Sequence, residues 1–85
     1  MPSKTVTVGS RIGLHARPAA LIAEAANSFG SAVTIATQGG APVDAGSALL
    51  IMTLGSKLGD QVVVSSDDQA AVDKIADLVE QDLDA

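Results

Sequence analysis

Cysteine is absent from this chain of 85 residues, and with it go disulfides, thiolate metal sites and thiol catalysis. Phe29 is the only aromatic residue, so the chain has no stacking platform for nucleic-acid bases. Basic residues are scarce: 5 Lys and Arg stand against 10 Asp and Glu, a net charge of -5, which is the wrong sign for a nucleic-acid surface. With His15 as the single histidine, no metal site built around several imidazoles can form. No apolar run approaches the length of a membrane span, and Met1-Pro2-Ser3-Lys4 begins no apolar signal-type segment. A soluble cytoplasmic protein is expected, with no metal, no cofactor and no nucleic-acid partner.

The apolar content is carried by Ala, Val, Leu and Ile, which favours a thin core stabilised by helix-on-sheet packing rather than by large anchors. The length suits one small domain spanning 1–85, and no linker, repeat or low-complexity tract divides it. Charge is unevenly spread. Lys4, Arg11 and Arg17 face only Glu24 in the first half, whereas Lys74 is the one cation beyond Asp60. The neighbourhood of His15 is therefore neutral to basic inside an acidic protein. The acids toward the end suit a solvated helix face, and the basic end suits acidic partners or anionic groups.

Lys4-Thr5-Val6-Thr7-Val8 alternates polar and apolar residues and predicts a half-buried strand. After a loop over 9–13 the period becomes helical from Ala16 to Ser28. Pro18, Leu21, Ile22, Ala25, Ala26 and Phe29 form its apolar stripe, and Gly30 is the expected stop. Ala32 to Thr37 reads as a second strand. A short third strand follows near Ala41–Asp44, where Pro42 suggests a sheet edge. The segment from Ser47 to Leu54 fits a buried strand by periodicity alone. Ser47 as N-cap and Gly55 just beyond the end favour a short helix. Gln61 to Ser65 is a fourth strand. A last helix runs from about Gln69 to Asp84, with Val72, Ile75, Ala76, Val79 and Leu83 inward and Asp67 and Asp68 at its start. The order β-α-β-β-α-β-α implies an α+β fold. It is an open-faced two-layer β-sandwich, a four-stranded antiparallel sheet covered on one side by three helices.

His15 lies in the run Gly13-Leu14-His15-Ala16-Arg17-Pro18-Ala19, where the first helix should begin. Imidazole is a nucleophile near neutral pH. A helix start leaves backbone N–H groups without intrahelical partners, here those of Ala16 and Arg17, and these favour an arriving anion. The Arg17 guanidinium holds its charge and has the planar fork that binds phosphoryl oxygens in pairs. Pro18 lacks an N–H and is tolerated in the first turn. His15 as acceptor of a phosphoryl group and Arg17 as its clamp is the chemistry these residues suit. A lone histidine near an arginine is also what a surface or capping residue looks like, and the residues alone leave both open. No Ser-His-Asp set, carboxylate pair or Gly-x-x-x-x-Gly-Lys loop points to a self-sufficient enzyme.

The seven residues Gly13 to Ala19 resemble the active-site motif of the HPr family. HPr is the histidine-containing phosphocarrier of the phosphoenolpyruvate-dependent sugar phosphotransferase system. Gly46-Ser47-Ala48 followed by Met52-Thr53-Leu54-Gly55 resembles the family's second signature, and the likeness in length and element order covers essentially the full chain. The resemblance implies that His15 accepts a phosphoryl group on Nδ1 from phosphorylated Enzyme I and passes it to IIA domains of sugar permeases. Arg17 would be the clamp. The protein would thus be a carrier rather than an enzyme in the strict sense, a monomer that meets membranes only indirectly, through permeases. The family's partner surface joins the first and second helices, which points here to Ala16, Ala20, Leu21, Ala48, Leu49 and Met52. Plain core burial is the competing explanation for Leu49 and Met52.

Ser47 aligns with a serine that an ATP-dependent kinase phosphorylates in some members, which would add regulatory proteins to the partners. Many of those members have Lys before the serine and Ile-Met after it, where this chain has Gly46 and Ala48-Leu49. Helix capping is a sufficient role for Ser47. Ile12 replaces a residue that is often polar, a change expected to be neutral. Two rivals to a sugar-transport carrier are a regulatory binding module of the same fold and a phosphorelay carrier in a branch unrelated to sugar transport.

Overall fold

The computed structural model describes residues 2–11 and 13–81. Its elements are β1 (Ser3–Thr7), α1 (Ala16–Asn27), β2 (Val33–Thr37), β3 (Val43–Asp44), α2 (Ala48–Thr53), β4 (Gln61–Ser66) and α3 (Gln69–Glu80). The four strands form one sheet in the order β1-β4-β2-β3, every neighbouring pair antiparallel. This is the expected α+β architecture.

Alternation along the strands divides the sheet into two faces. Val6, Val62, Val64, Val33 and Ile35 are buried beneath the helices. Thr5 pairs with Val63, Val63 with Ala36, and Ser65 with Thr34, and these residues share the opposite, largely polar face. A register shift of one residue would exchange the faces, so the valines of β4 hold the pairing in place. β3 is shorter than expected and begins after Pro42, which has no N–H to give to a ladder.

Each helix closes the core in its own way. α3 buries Ala71, Val72, Ile75, Ala76 and Val79 and packs against β1 and β4. The side chain of Asp68 caps it, accepting from the Ala70 N–H at 3.0 Å. Leu83 and Asp84, expected in this helix, lie outside the described residues, as does Ile12. α1 buries Pro18, Ala19, Ile22, Ala23 and Ala26. The stripe is therefore rotated from the expected one: Leu21 is exposed, while Ala25 and Phe29 are half-buried. Ala19 and Ala23 face inward because their small side chains let α1 approach its neighbours α2 and α3 closely. Ser28 ends α1, its hydroxyl donating to the Ala25 carbonyl at 2.6 Å, and Gly30 is not in the left-handed region that a glycine stop uses.

α2 is the short helix that its flanking residues suggested. Ser47 Oγ accepts from the Leu50 N–H at 3.3 Å, and Gly55 follows the helix with φ 64°. Ile51 is its fully buried residue. The far end of α1 meets the start of α2, where Asn27 Nδ2 donates to the Gly46 carbonyl at 3.0 Å. The N-terminal end of α1 meets the residues that follow α2, where the Leu14 N–H donates to the Ser56 carbonyl at 3.0 Å. The two helices thus run in opposite senses. His15 stands beside the C-terminal end of α2 and away from Ser47.

Candidate functional site

His15 is the residue immediately before α1, in extended conformation with φ -90° and ψ -167°. Its carbonyl accepts the first helical hydrogen bond, from Ala19 N at 2.8 Å, so it is the N-cap by backbone geometry. Its ring makes no capping hydrogen bond. The histidine side chain is therefore not a cap, and it is exposed at the helix start. Ala16 and Arg17 are the first residues of α1, also exposed, and their amides have no carbonyl four residues back within the helix.

The loop that carries His15 is held from both sides. The Gly13 N–H donates to the Ser10 carbonyl at 3.0 Å, which closes a tight turn. Gly13 has φ 75°, and a Cβ there would run into the Ser56 backbone. Leu14 is buried in the core while its N–H is bound to the Ser56 carbonyl, so its two neighbours in the motif are fixed by burial and by hydrogen bonding at once. Sequence patterning gave no warning of the Ser56 contact, because a main-chain carbonyl carries no side-chain signature.

The expected partner surface is brought together in part. Ala16, Ala20 and Leu21 are exposed on α1, and Leu49 on α2 is 70% exposed, which excludes core burial for it. Ala48 and Met52 are half-buried and pack against the core, so they present only an edge to solvent. Two further apolar residues that patterning did not single out are exposed: Leu50, and Leu58 at 57% exposed in the segment after α2. Among the described residues Leu21, Leu49, Leu50 and Leu58 are the exposed large apolar side chains. Ser47 lies at the other end of α2, half-buried, with its Oγ engaged as the cap.

No cavity forms among the described residues, so His15 sits on an open surface. Among the same residues no three His, Cys, Asp or Glu side chains gather as metal ligands, and no helix is long and apolar enough to cross a membrane.

Residues 2–81 match the family model described as "PTS HPr component phosphorylation site". The chain belongs to the HPr family. It is 41% identical over 87 residues to the phosphocarrier protein HPr of Streptomyces coelicolor, with 99% of this chain and 94% of that protein covered. Similarity extends to the phosphocarrier protein NPr of Proteus mirabilis, 31% identical over 84 residues, covering 95% and 93% of the two chains. Among solved structures, HPr from Thermoanaerobacter tengcongensis superposes with a TM-score of 0.88 at 33% identity, covering 100% of this chain and 98% of that one. Membership of the HPr family makes the chain a phosphocarrier component of the phosphotransferase system.

Proposed function

We propose that this HPr-family phosphocarrier takes its phosphoryl group on His15 and delivers it to IIA domains of sugar permeases, with phosphorylated Enzyme I as donor. The observation that carries the reading is His15 itself: the imidazole of a family-type motif, exposed at the start of α1, uncommitted to capping and two residues from Arg17.

In the transfer, the lone pair of the His15 ring nitrogen Nδ1 attacks phosphorus in line. The N–P bond to the donor histidine breaks as the new N–P bond forms, and the donor ring leaves with the electron pair. Little covalent work falls to the protein, so positioning and charge stabilisation dominate. The amides of Ala16 and Arg17 at the start of α1 would donate to the phosphoryl oxygens, and the Arg17 guanidinium would clamp them. Delivery to the IIA domain repeats the same exchange with His15 as the leaving group.

Docking uses the exposed apolar residues of α1 and α2, namely Ala16, Ala20, Leu21 and Leu49, with the edges of Ala48 and Met52. Such a contact is small and transient, which suits a carrier that must leave each partner quickly. The carrier is cytoplasmic and monomeric, and approaches the membrane only with its permeases. Ser47 serves as cap to α2.

Incubation with Enzyme I and labelled phosphoenolpyruvate is expected to leave acid-labile, base-stable phosphate on the native protein and none on His15→Ala. Label retained by His15→Ala would overturn the assignment.

A further inference from the structure

The loop that leads to His15 rests on α3 as well as on the Ser56 segment. Val8 is tied to the turn before β4, its N–H donating to the Asp60 carbonyl at 2.8 Å and its carbonyl accepting from Gly59 at 3.0 Å. One residue later the Gly9 N–H donates to the Val79 carbonyl in the last turn of α3, at 3.0 Å. A Cβ on Gly9 would overlap the Glu80 carbonyl, so the seat exists only because residue 9 is bare backbone. Val8, Ser10 and Val79 are all buried, and this junction is therefore a packed one rather than a surface contact.

We propose that Gly9 is a positioning residue for His15: it lets the last turn of α3 seat on the loop that holds the imidazole and so fixes how the ring is presented. The proposal rests on His15 as the phosphoryl acceptor, but its structural half is independent of that. Between Gly9 and His15 the chain is short and already bound at Gly13 and Leu14. Ser10, next to Gly9, accepts from the Gly13 N–H at 3.0 Å, so a shift at the α3 seat has a hydrogen-bonded route to the residues that precede the ring. α3 carries no residue of the acceptor site, yet its end would tune transfer.

The test compares Gly9→Ala with the native protein, with Val72→Ala as a control that truncates a buried α3 residue two turns from the seat. The first readout is the nitrogen and proton resonances of the His15 ring in the unphosphorylated protein, which needs no partner. The second is transfer from phosphorylated Enzyme I, resolved into maximal rate and KM. Gly9→Ala is expected to move the ring resonances and to lower the maximal rate by up to about a hundredfold, the cost of displacing a reacting group by about 1 Å. KM should hold, because Leu21 and Leu49 are untouched, and Val72→Ala should leave the ring resonances in place. Native ring resonances and a native maximal rate in Gly9→Ala, even with a lowered melting temperature, would overturn the proposal. If Gly9→Ala does not fold, Val79→Ala decides by the ring resonances: a shift supports the seat and native positions reject it. A native protein that accepts no phosphoryl group would instead sink the acceptor assignment, and the resonances would still report on Gly9.

Discussion

Asn27 on α1 donates from Nδ2 to the Gly46 carbonyl at 3.0 Å, and so ties the end of one helix to the start of the next across 19 residues of chain. The Gly46 N–H is held at the same time by Asp44 Oδ1 at 2.8 Å. A Cβ on Gly46 would crowd the Asn27 amide oxygen. Gly46 is thus built into a helix-to-helix clamp. Asn27→Ala is expected to cost about 0.5–1.5 kcal/mol, the net value of one ordinary hydrogen bond. Because α2 then moves relative to α1, KM for Enzyme I should rise while the His15 ring resonances stay near their native positions. Thermal unfolding and transfer kinetics measure the two effects separately.

Ser47 caps α2, with its Oγ 3.3 Å from the Leu50 N–H. Ser47→Ala should destabilise by about 0.5–1 kcal/mol, the lower part of the range for lost caps given that length. In a domain of this size that corresponds to roughly 4–8 °C per kcal/mol in melting temperature. The maximal rate of phosphoryl acceptance at His15 should be unchanged, since the cap lies at the far end of α2, and any effect should fall on KM through the neighbouring Ala48 and Leu49. Aspartate is itself a good N-cap, so Ser47→Asp should restore most of the stability. A large loss of transfer in Ser47→Asp at native stability would mark a regulatory role for this position.

The element order was legible because alternation in the strands and the paired signals Ser47 and Gly55 are short-range. The α1 stripe was legible in part: Pro18, Ile22 and Ala26 are buried as expected, and Leu21 is not. In a helix with this many alanines, hydropathy cannot tell which alanine faces the core, and the sequence spacing favoured Leu21 where the fold buries Ala19 and Ala23. Gly30 looked like a stop, but Ser28 ends the helix through its own hydroxyl. At the site, His15 and Arg17 were visible as side chains, and the motif carried them. What holds the motif in place is main chain: the carbonyls of Ser56 and Val79 and the close approaches at Gly13 and Gly9. Backbone groups are the same in every residue, so no composition or periodicity announces them. Leu58 was missed for another reason, since it follows α2 in a segment with no period to place it on a face.

Leu49 is 70% exposed and has little to contribute to folding. Leu49→Ala should change stability by less than about 0.5 kcal/mol, as for surface positions in general. If the leucine fills a partner pocket, losing it should raise KM for Enzyme I by about tenfold, equivalent to about 1.4 kcal/mol. Leu58→Ala tests how far the surface extends beyond α2. A raised KM in both variants would make one continuous docking face, and an effect at Leu49 alone would confine it to the helices. Ile51→Ala on the same helix should behave oppositely, costing about 2–5 kcal/mol of stability because Ile51 is fully buried.

Arg17 separates charge from geometry. It is exposed in the first turn of α1, directly after the amide of Ala16, and contributes no buried contact that its replacement would remove. Stability should therefore be nearly the same in Arg17→Lys and Arg17→Ala. Transfer should not be. A charged hydrogen-bonding group of this kind is worth about 1.5–3 kcal/mol, or roughly tenfold to more than a hundredfold in rate. Lysine keeps the charge but gives up the planar fork that binds two phosphoryl oxygens at once. Arg17→Lys is thus expected to fall between native and Arg17→Ala in maximal rate. Equal rates in all three proteins would remove Arg17 from the transfer step and leave the helix amides as the only local donors to the phosphoryl group.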